Sequence, residues 1–191
     1  MPAHLTVACV GAGYFSQFHY DAWRRIESVT PVAAVDLDHA SAAATGLAAY
    51  TDPTQMLREC RPDIVDIITP PPTHLAVIRA AIAAGVKAVI CQKPFCAGPE
   101  EAAEAVRLSR ESGVPLVVHE NFRFQPWYRK MHQLIDEGVV GDVLQMTFRL
   151  RPGDGQGARV SGSAAVFPAH AEVSGARDCH TLGRHLSFFA G

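Results

Sequence analysis

Two glycines and an aspartate near the start of the chain have the spacing of a site for phosphate and ribose. A short apolar run at residues 5–10 leads into Gly11 and Gly13, and a helical segment follows. Gly11 allows a tight turn, and Gly13 leaves room for a pyrophosphate beside unpaired helix N–H groups. Asp36 closes the next strand, where a carboxylate accepts the hydroxyls of an adenosine ribose and repels a 2′-phosphate. The expected cofactor-binding residues here are Gly11, Gly13, Tyr14, Phe15 and Asp36.

This pattern predicts a dinucleotide site that takes NAD, with NADP less favoured. A plain structural turn between strand and helix uses the same glycines, and Ser16 stands where Gly or Ala is usual. The preceding strand, the following helix and the position of Asp36 together favour the dinucleotide interpretation.

Two further polar segments follow apolar runs later in the chain. Residues 64–68 lead into Thr69-Pro70-Pro71-Pro72-Thr73-His74, and residues 86–91 lead into Gln92-Lys93-Pro94. The carboxyl ends of parallel strands share one edge of a sheet, and ligands of such sheets bind at that edge. The glycine turn, the proline segment and Lys93 are therefore expected to converge on one crevice.

Helical and strand-like patterns alternate along the chain, which predicts an α/β protein with a Rossmann-type, doubly wound parallel sheet. The expected strands are residues 5–10, 32–35, 64–68, 86–91 and 115–118, and the expected helices are residues 39–49, 55–60, 75–84, 100–112 and 125–137. The dinucleotide-binding domain is expected to cover residues 1–120. Residues 121–151 would add a connecting helix and one strand, residues 142–151, that begins a C-terminal α+β sheet domain.

Composition excludes several classes of function. The formal charge of −2 gives no general attraction to nucleic acid or to an anionic membrane, and Lys87 interrupts the longest apolar stretch. The five cysteines lack the spacing of paired metal ligands, so no metal site is expected. Their odd number and the absence of a signal peptide indicate reduced thiols and a cytoplasmic location.

At this point the sequence resembles the Gfo/Idh/MocA family of NAD(P)-dependent oxidoreductases over about residues 5–151. The resemblance rests on five ordered motifs: Val10-Gly11-Ala12-Gly13, Asp36, Thr69-Pro70-Pro71 with His74, Cys91-Gln92-Lys93-Pro94, and Glu120-Asn121-Phe122-Arg123-Phe124. Members of this family transfer hydride between a nicotinamide and a hydroxyl or carbonyl of a sugar, cyclitol or related compound.

The resemblance implies roles for particular residues. Lys93 would take part in catalysis and also contact the cofactor. The other residues that would line the cofactor are Thr69, Pro70, Pro71, His74 and Gln92. Asn121 and Arg123 would lie on the substrate side, and the partner would be a small sugar or polyol. The family usually has Glu where this chain has Gln92, so the side chain next to Lys93 brings no charge. Intact members form homo-oligomers, a property not assumed for this chain.

Hydrophobic periodicity fades after residue 151, and residues 152–191 are expected to be an aberrant, disordered tail. Codons that encode residues 177–189 can be chosen so that the reading frame shifted by one base encodes a peptide similar to the family's catalytic-histidine motif. In the same shifted frame, codons for residues 160–167 can encode a second peptide similar to a family sequence. We therefore expect an out-of-frame translation from about residue 157, which would make His170, His180 and His185 accidental.

Two functions of different classes follow from the sequence. The first is an NAD-dependent dehydrogenase of sugars or cyclitols, of which this chain would be an incomplete copy. The second is a non-catalytic module that only binds a dinucleotide.

Overall fold

The fold is known from a computed structural model that describes residues His4–Thr147. The chain divides after Glu120 into two units, and the second unit begins at Asn121. The expected aberrant tail and the last part of the expected strand at residues 142–151 lie outside the described residues.

The first unit is built on one six-stranded sheet in which every pair of neighbouring strands is parallel. The strands are β1 (Leu5–Val10), β2 (Val29–Val35), β3 (Ala48–Tyr50), β4 (Ile64–Ile67), β5 (Ala88–Gln92) and β6 (Leu116–His119). Their spatial order is β3-β2-β1-β4-β5-β6. This is the doubly wound order of dinucleotide-binding folds, with its switch point between β1 and β4. The predicted fold class is thereby confirmed.

Five helices connect the strands of the first unit, and the described part of the second unit, residues 121–147, contributes one more. They are α1 (Ser16–Arg24), α2 (His39–Ala44), α3 (Pro53–Cys60), α4 (His74–Ala83), α5 (Pro99–Ser112) and, in the second unit, α6 (Pro126–Asp136). Local sequence explains several helix ends. Asp38 and Asp52 cap α2 and α3 through backbone N–H groups, and Gly113 ends α5 in the left-handed conformation.

The two faces of the sheet have different chemistry. One face is a broad apolar core in which strand residues such as Val65 and Ile67 pack with Met56 of α3 and Ile78 of α4. The other face carries smaller side chains, among them Cys9 and Ala34. Because side chains alternate along a strand, Asp66 lies on this second face, between Val65 and Ile67 in sequence.

The structure corrects two predicted elements. The helix expected at residues 39–49 ends at Ala44, because Gly46 adopts φ +77° and the chain then forms β3 beside β2. Residues 142–147, expected to begin a strand, are not in a strand. A strand needs a hydrogen-bonding partner, and none of the described residues pairs with this segment.

Within the described part of the chain, no helix has both the length and the apolar character needed to cross a bilayer.

The apolar core predicts a large difference between two isoleucine-to-alanine substitutions. Ile78 is 0% exposed, whereas Ile26 is 42% exposed. Ile78→Ala leaves a cavity and is expected to lower the free energy of unfolding by about 2–5 kcal/mol. Ile26→Ala should change it by about 0.5 kcal/mol or less. Urea unfolding of both variants measures this, and similar losses in both would contradict the placement of the core.

Asp63, just before β4, predicts a pH-dependent contribution to stability. Its carboxylate accepts hydrogen bonds from Lys87 Nζ at 2.8 Å and from Thr6 N at 2.8 Å. The bond from Lys87 and the bonds from Thr6 hold the pKa of Asp63 below its ordinary value. The charged carboxylate therefore stabilises the fold above the ordinary carboxyl pKa, and this contribution is lost as the pH falls through the lower, folded-state pKa.

Asp63→Asn should accordingly be less stable than the wild type at neutral pH, and the difference should shrink as the solution is acidified. Urea unfolding at several pH values measures the two free energies. A difference that stays constant with pH would remove Asp63 from this role.

Candidate functional site

The predicted ligand-binding segments all follow carboxyl ends of strands in the same parallel sheet. The glycine turn follows β1, Asp36 follows β2, the proline segment follows β4, and Lys93 follows β5. We call this group of segments the carboxyl edge. The strand order places Asp36 first along it, then the glycine turn, the proline segment and Lys93. The structure therefore places these predicted segments along one edge of the sheet.

Gly11 is required by the backbone itself. It adopts φ +115°, and a Cβ on it would lie 3.0 Å from the carbonyl carbon of Ile68. Its N–H donates to Val35 O at 2.7 Å, and its carbonyl accepts from Tyr20 Oη at 3.2 Å. Burial raises the pKa of Tyr20 above its ordinary value, so the phenol keeps the proton that it donates. Gly11 is thus fixed by the fold alone.

Gly13 has no such structural requirement. A Cβ added to it meets no atom within 4 Å, and its φ lies outside the left-handed range. Ser16 closes the turn, since its Oγ donates to Gly13 O at 2.6 Å. Helix α1 begins there without a side-chain cap. The open space over Gly13, beside an uncapped helix start, fits the close approach of a phosphate group.

Asp36 ties the glycine turn to the end of β2. Its Oδ2 accepts from Ala12 N at 2.8 Å, and its Oδ1 accepts from Asp38 N at 3.0 Å. Each carboxylate oxygen accepts more than one hydrogen bond, so acceptor capacity remains for ribose hydroxyls. The neighbouring Leu37 is 95% exposed, which leaves an apolar surface beside the carboxylate.

Tyr14 and Phe15 lie at the surface before α1. They are 49% and 42% exposed, and both rings contact Phe18 of α1, with centroid distances of 6.1 and 5.6 Å. These three aromatic side chains form an exposed apolar patch next to the glycine turn.

The proline segment between β4 and α4 is held from within. Pro71–Thr73 form a single 3₁₀ turn, and Thr73 Oγ1 donates to Pro70 O at 2.9 Å. The ring of His74 is 0% exposed, with Nε2 2.6 Å from Thr69 O and Nδ1 2.9 Å from Phe95 O. His74 therefore links the proline segment to the segment after Lys93, and its predicted contact with the cofactor stays a prediction.

Lys93 stands on a short segment that Gln92 fixes. The Lys93–Pro94 peptide bond is cis, and the Lys93 side chain is exposed. The backbone N–H of Lys93 donates to Oε1 of Gln92 at 2.7 Å. Gln92 itself is only 6% exposed, so its amide points inward from the carboxyl edge.

A buried polar network beneath Lys93 was not predicted from the sequence. It consists of Trp23, His19, Asp66 and Gln92. Asp66 Oδ2 lies 2.8 Å from His19 Nδ1 and 2.7 Å from Trp23 Nε1, and His19 Nε2 lies 3.1 Å from Gln92 Nε2. The available signals were an aspartate inside the apolar run of β4, and His19 and Trp23 four residues apart on one helix face.

His119, at the end of β6, adjoins this network. Its ring meets that of His19 edge to face, with 4.6 Å between centroids. Burial lowers the pKa of His119 below its ordinary value.

The two predicted substrate-side residues belong to the second unit. Asn121 precedes a 3₁₀ turn at Phe122–Phe124, and the guanidinium of Arg123 lies 5.6 Å from the centre of the Phe124 ring. Among the described residues, no group of three or more His, Cys, Asp or Glu side chains has the arrangement of a metal site.

The two glycines predict effects of very different size for the same substitution. Gly11→Ala places a Cβ against the Ile68 backbone at a positive φ. It should lower the free energy of unfolding by about 1–3 kcal/mol or more. Gly13→Ala meets open space and should change it by about 0.5 kcal/mol or less. Thermal or urea unfolding distinguishes the two, and equal destabilisation would contradict the geometry of the turn.

Comparisons with known proteins show which family this chain belongs to. Residues 5–120 match the family model described as an oxidoreductase family with an NAD-binding Rossmann fold. The chain is 40% identical over 139 residues to a D-apiose dehydrogenase of Paraburkholderia graminis. This match covers 70% of this chain and 37% of that protein. The chain is 33% identical over 144 residues to an inositol 2-dehydrogenase of Saccharopolyspora erythraea, and this match covers 72% of this chain and 42% of that protein.

A solved oxidoreductase from Agrobacterium radiobacter, in complex with NAD+, L-tartaric acid and magnesium, superimposes with a TM-score of 0.70 at 30% identity. The match covers 73% of this chain and 42% of that structure. The chain thus spans about 40% of the length of these relatives. Because the family model matches more than half of this chain, the chain belongs to the Gfo/Idh/MocA oxidoreductase family, as its motifs predicted.

Proposed function

We propose that this chain carries the NAD site of a dehydrogenase that transfers hydride between nicotinamide and a hydroxyl or carbonyl of a sugar or cyclitol. The observation that carries the proposal is the order of groups along the carboxyl edge. A ribose acceptor, a phosphate turn and a lysine follow one another across β2, β1, β4 and β5. Three steps between neighbouring strands span roughly 14 Å, which suits an extended dinucleotide.

The charge and position of Asp36 favour NAD over NADP. Its carboxylate stands where the adenosine ribose would lie, within one hydrogen bond of the glycine turn at Ala12. A carboxylate accepts both ribose hydroxyls but repels a 2′-phosphate. The exposed side chain of Leu37 offers an apolar surface for the adjoining adenine.

Lys93 is the proposed catalytic residue. Nicotinamide, when bound, supplies the acceptor or donor of hydride. Oxidation of a carbinol breaks its C–H bond with the electron pair leaving as hydride, and the O–H proton must pass to a nearby group. The Lys93 amine can accept that proton, and in the reverse reduction its ammonium can return it. Gln92 holds the backbone N–H of this residue.

The proposed substrate is a sugar or cyclitol with a free secondary hydroxyl. Support comes from the relatives, since one acts on D-apiose and another on inositol by name. Asn121 and Arg123 are the proposed substrate-side residues. An amide and a guanidinium suit this role, because both donate hydrogen bonds to hydroxyl oxygens.

Titration of the purified chain with NADH and NADPH tests the proposal. NADH should bind, and Gly13→Ala should weaken this binding while the protein stays folded. A parallel turnover assay with a panel of sugars and cyclitols then separates two functions. Oxidation that depends on Lys93 supports the dehydrogenase, whereas tight binding without any turnover favours the non-catalytic binding module. Folded protein that binds neither nucleotide would overturn both.

Asp36→Asn should change the choice between the two nucleotides. The amide still accepts from Ala12 N but brings no charge, so NADH affinity should fall by about 1–2 kcal/mol, roughly five- to thirtyfold. The affinity for NADPH should fall less or rise. Asp38→Asn is the matched control, because it removes the same charge two residues away and an asparagine still caps α2. Unchanged affinities for both nucleotides in Asp36→Asn would remove Asp36 from the site.

A further inference from the structure

We propose that the buried polar network is a single directional path of hydrogen bonds that positions Lys93 and holds His19 as its neutral Nδ1–H tautomer. His19 and Asp66 are then positioning residues, which act on Lys93 through Gln92. Their importance for chemistry depends on the proposed function of Lys93, but the direction of the hydrogen bonds does not.

The end of the path at Lys93 fixes the orientation of the Gln92 amide. A backbone N–H can only donate, so the atom 2.7 Å from Lys93 N must be the carbonyl oxygen Oε1. The NH₂ group of Gln92 consequently faces His19 Nε2 at 3.1 Å. Since an amide NH₂ donates, Nε2 of His19 must accept and carries no proton.

The other end of the path leads to the same tautomer. The indole N–H of Trp23 can only donate, and it lies 2.7 Å from Asp66 Oδ2. His19 Nδ1 lies 2.8 Å from the same oxygen. A carboxylate oxygen accepts, so Nδ1 must carry the proton. Both ends of the path therefore assign one proton to His19, on Nδ1.

The surroundings of His19 leave little room for another arrangement. His19, Asp66 and Gln92 are 5%, 1% and 6% exposed, so bulk water does not compete for their hydrogen bonds. The ring of His19 also meets the rings of His119 and Phe15 edge to face, with centroids at 4.6 and 5.7 Å. A second proton on His19 would face the NH₂ group of Gln92 and find no acceptor there.

The path has a mechanical consequence at the carboxyl edge. Gln92 is the last residue of β5, and its side chain folds back to hold the next backbone N–H. Asp66 lies in β4, whereas His19 and Trp23 lie on α1. The base of Lys93 is therefore tied to two neighbouring strands and to the helix that begins at the glycine turn. This arrangement couples the position of the proposed catalytic lysine to the proposed phosphate site.

The tautomer can be read directly by ¹⁵N NMR of the histidine rings in the full 191-residue chain, without any nucleotide. His19→Gln identifies the signals of His19 by their disappearance. The expected wild-type result at neutral pH is a protonated Nδ1 and an unprotonated Nε2. A proton on Nε2, or on both nitrogens, would overturn the proposed direction.

Gln92→Glu should bring one extra proton into the contact between residue 92 and His19. One carboxylate oxygen then accepts from Lys93 N, and the other faces His19 Nε2. Two acceptors cannot share a hydrogen bond without a proton, so one proton should bridge them, either on Nε2 or on the carboxyl group. The ¹⁵N signal of Nε2 should therefore shift from its wild-type position. Gln55→Glu, exposed on α3, is the matched control and should leave that signal unchanged. An unchanged Nε2 signal in Gln92→Glu would also overturn the proposal.

Hydrogen exchange at the backbone amide of Lys93 tests positioning. In Gln92→Ala, the Lys93 amide hydrogen should lose its protection from exchange with solvent. In Gln92→Glu it should stay protected, because a carboxylate accepts the same N–H. His19→Ala should reduce this protection by releasing the Gln92 side chain, while amides of the apolar core such as that of Ile78 keep theirs. Unchanged protection at Lys93 in His19→Ala would show that His19 does not position it.

These measurements separate the inference from the proposed function. The NMR and exchange results need no cofactor, and the NADH titration does not depend on the His19 tautomer. A wrong tautomer together with normal NADH binding would reject the network alone. The expected tautomer together with no NADH binding would reject the proposed function alone.

Discussion

All neighbouring strands in the six-stranded sheet run parallel, and this one constraint organises the site. Parallel strands need crossover helices, so each strand finishes at the same edge before the chain turns back. Gly13, Asp36 and Lys93 are far apart in sequence, but each comes at the end of a strand of this sheet. The order β3-β2-β1-β4-β5-β6 then decides their sequence in space, with the glycine turn near the centre. A different strand order would keep every motif and separate the groups that a dinucleotide must reach together.

The glycine turn shows how structural and ligand-binding requirements divide between neighbouring residues. Gly11 satisfies the fold, since its positive φ and its approach to Ile68 exclude a side chain. Gly13 has no such requirement among the described residues, since a Cβ on it would meet no atom within 4 Å. Asp36 ties the turn to β2, because its carboxylate accepts from the Ala12 N–H. In the proposed function, Gly13 leaves room for a phosphate and the spare acceptor capacity of Asp36 serves a ribose. The turn would then be shaped before a ligand enters, which limits the ordering needed on binding.

The second face of the sheet accepts a carboxylate where the first face is apolar. Burying Asp66 is unfavourable unless its oxygens are hydrogen-bonded, and Oδ2 receives bonds from both His19 and Trp23. Oδ1 lacks a partner among the described residues. An apolar side chain at this position would avoid the desolvation of a charge. The second face of β4 therefore carries a buried carboxylate that joins the strand to α1 through His19 and Trp23.

Much of the fold follows from the sequence alone. Hydrophobic periodicity, and the Pro and Gly residues that end helices, predict β1, the helices α4 to α6 and a parallel sheet. These signals are local, so they can be recognised in the sequence. Strand β3 was not predicted, since Ala48–Tyr50 is too short to carry a period and becomes a strand only by pairing with β2. The strand expected from residue 142 is not formed over residues 142–147, because alternation supplies a face but not a partner.

The sequence by itself determined which residue types stand after the strands, and hence Gly11, Gly13, Asp36 and Lys93 as candidates. Only the tertiary structure decided that His74 is buried as a link between two segments, and that His19, Asp66 and Gln92 meet beneath Lys93. These contacts join residues up to 73 positions apart. A local pattern carries no information about such pairs, because their hydrogen bonds exist only after strands and helices have packed.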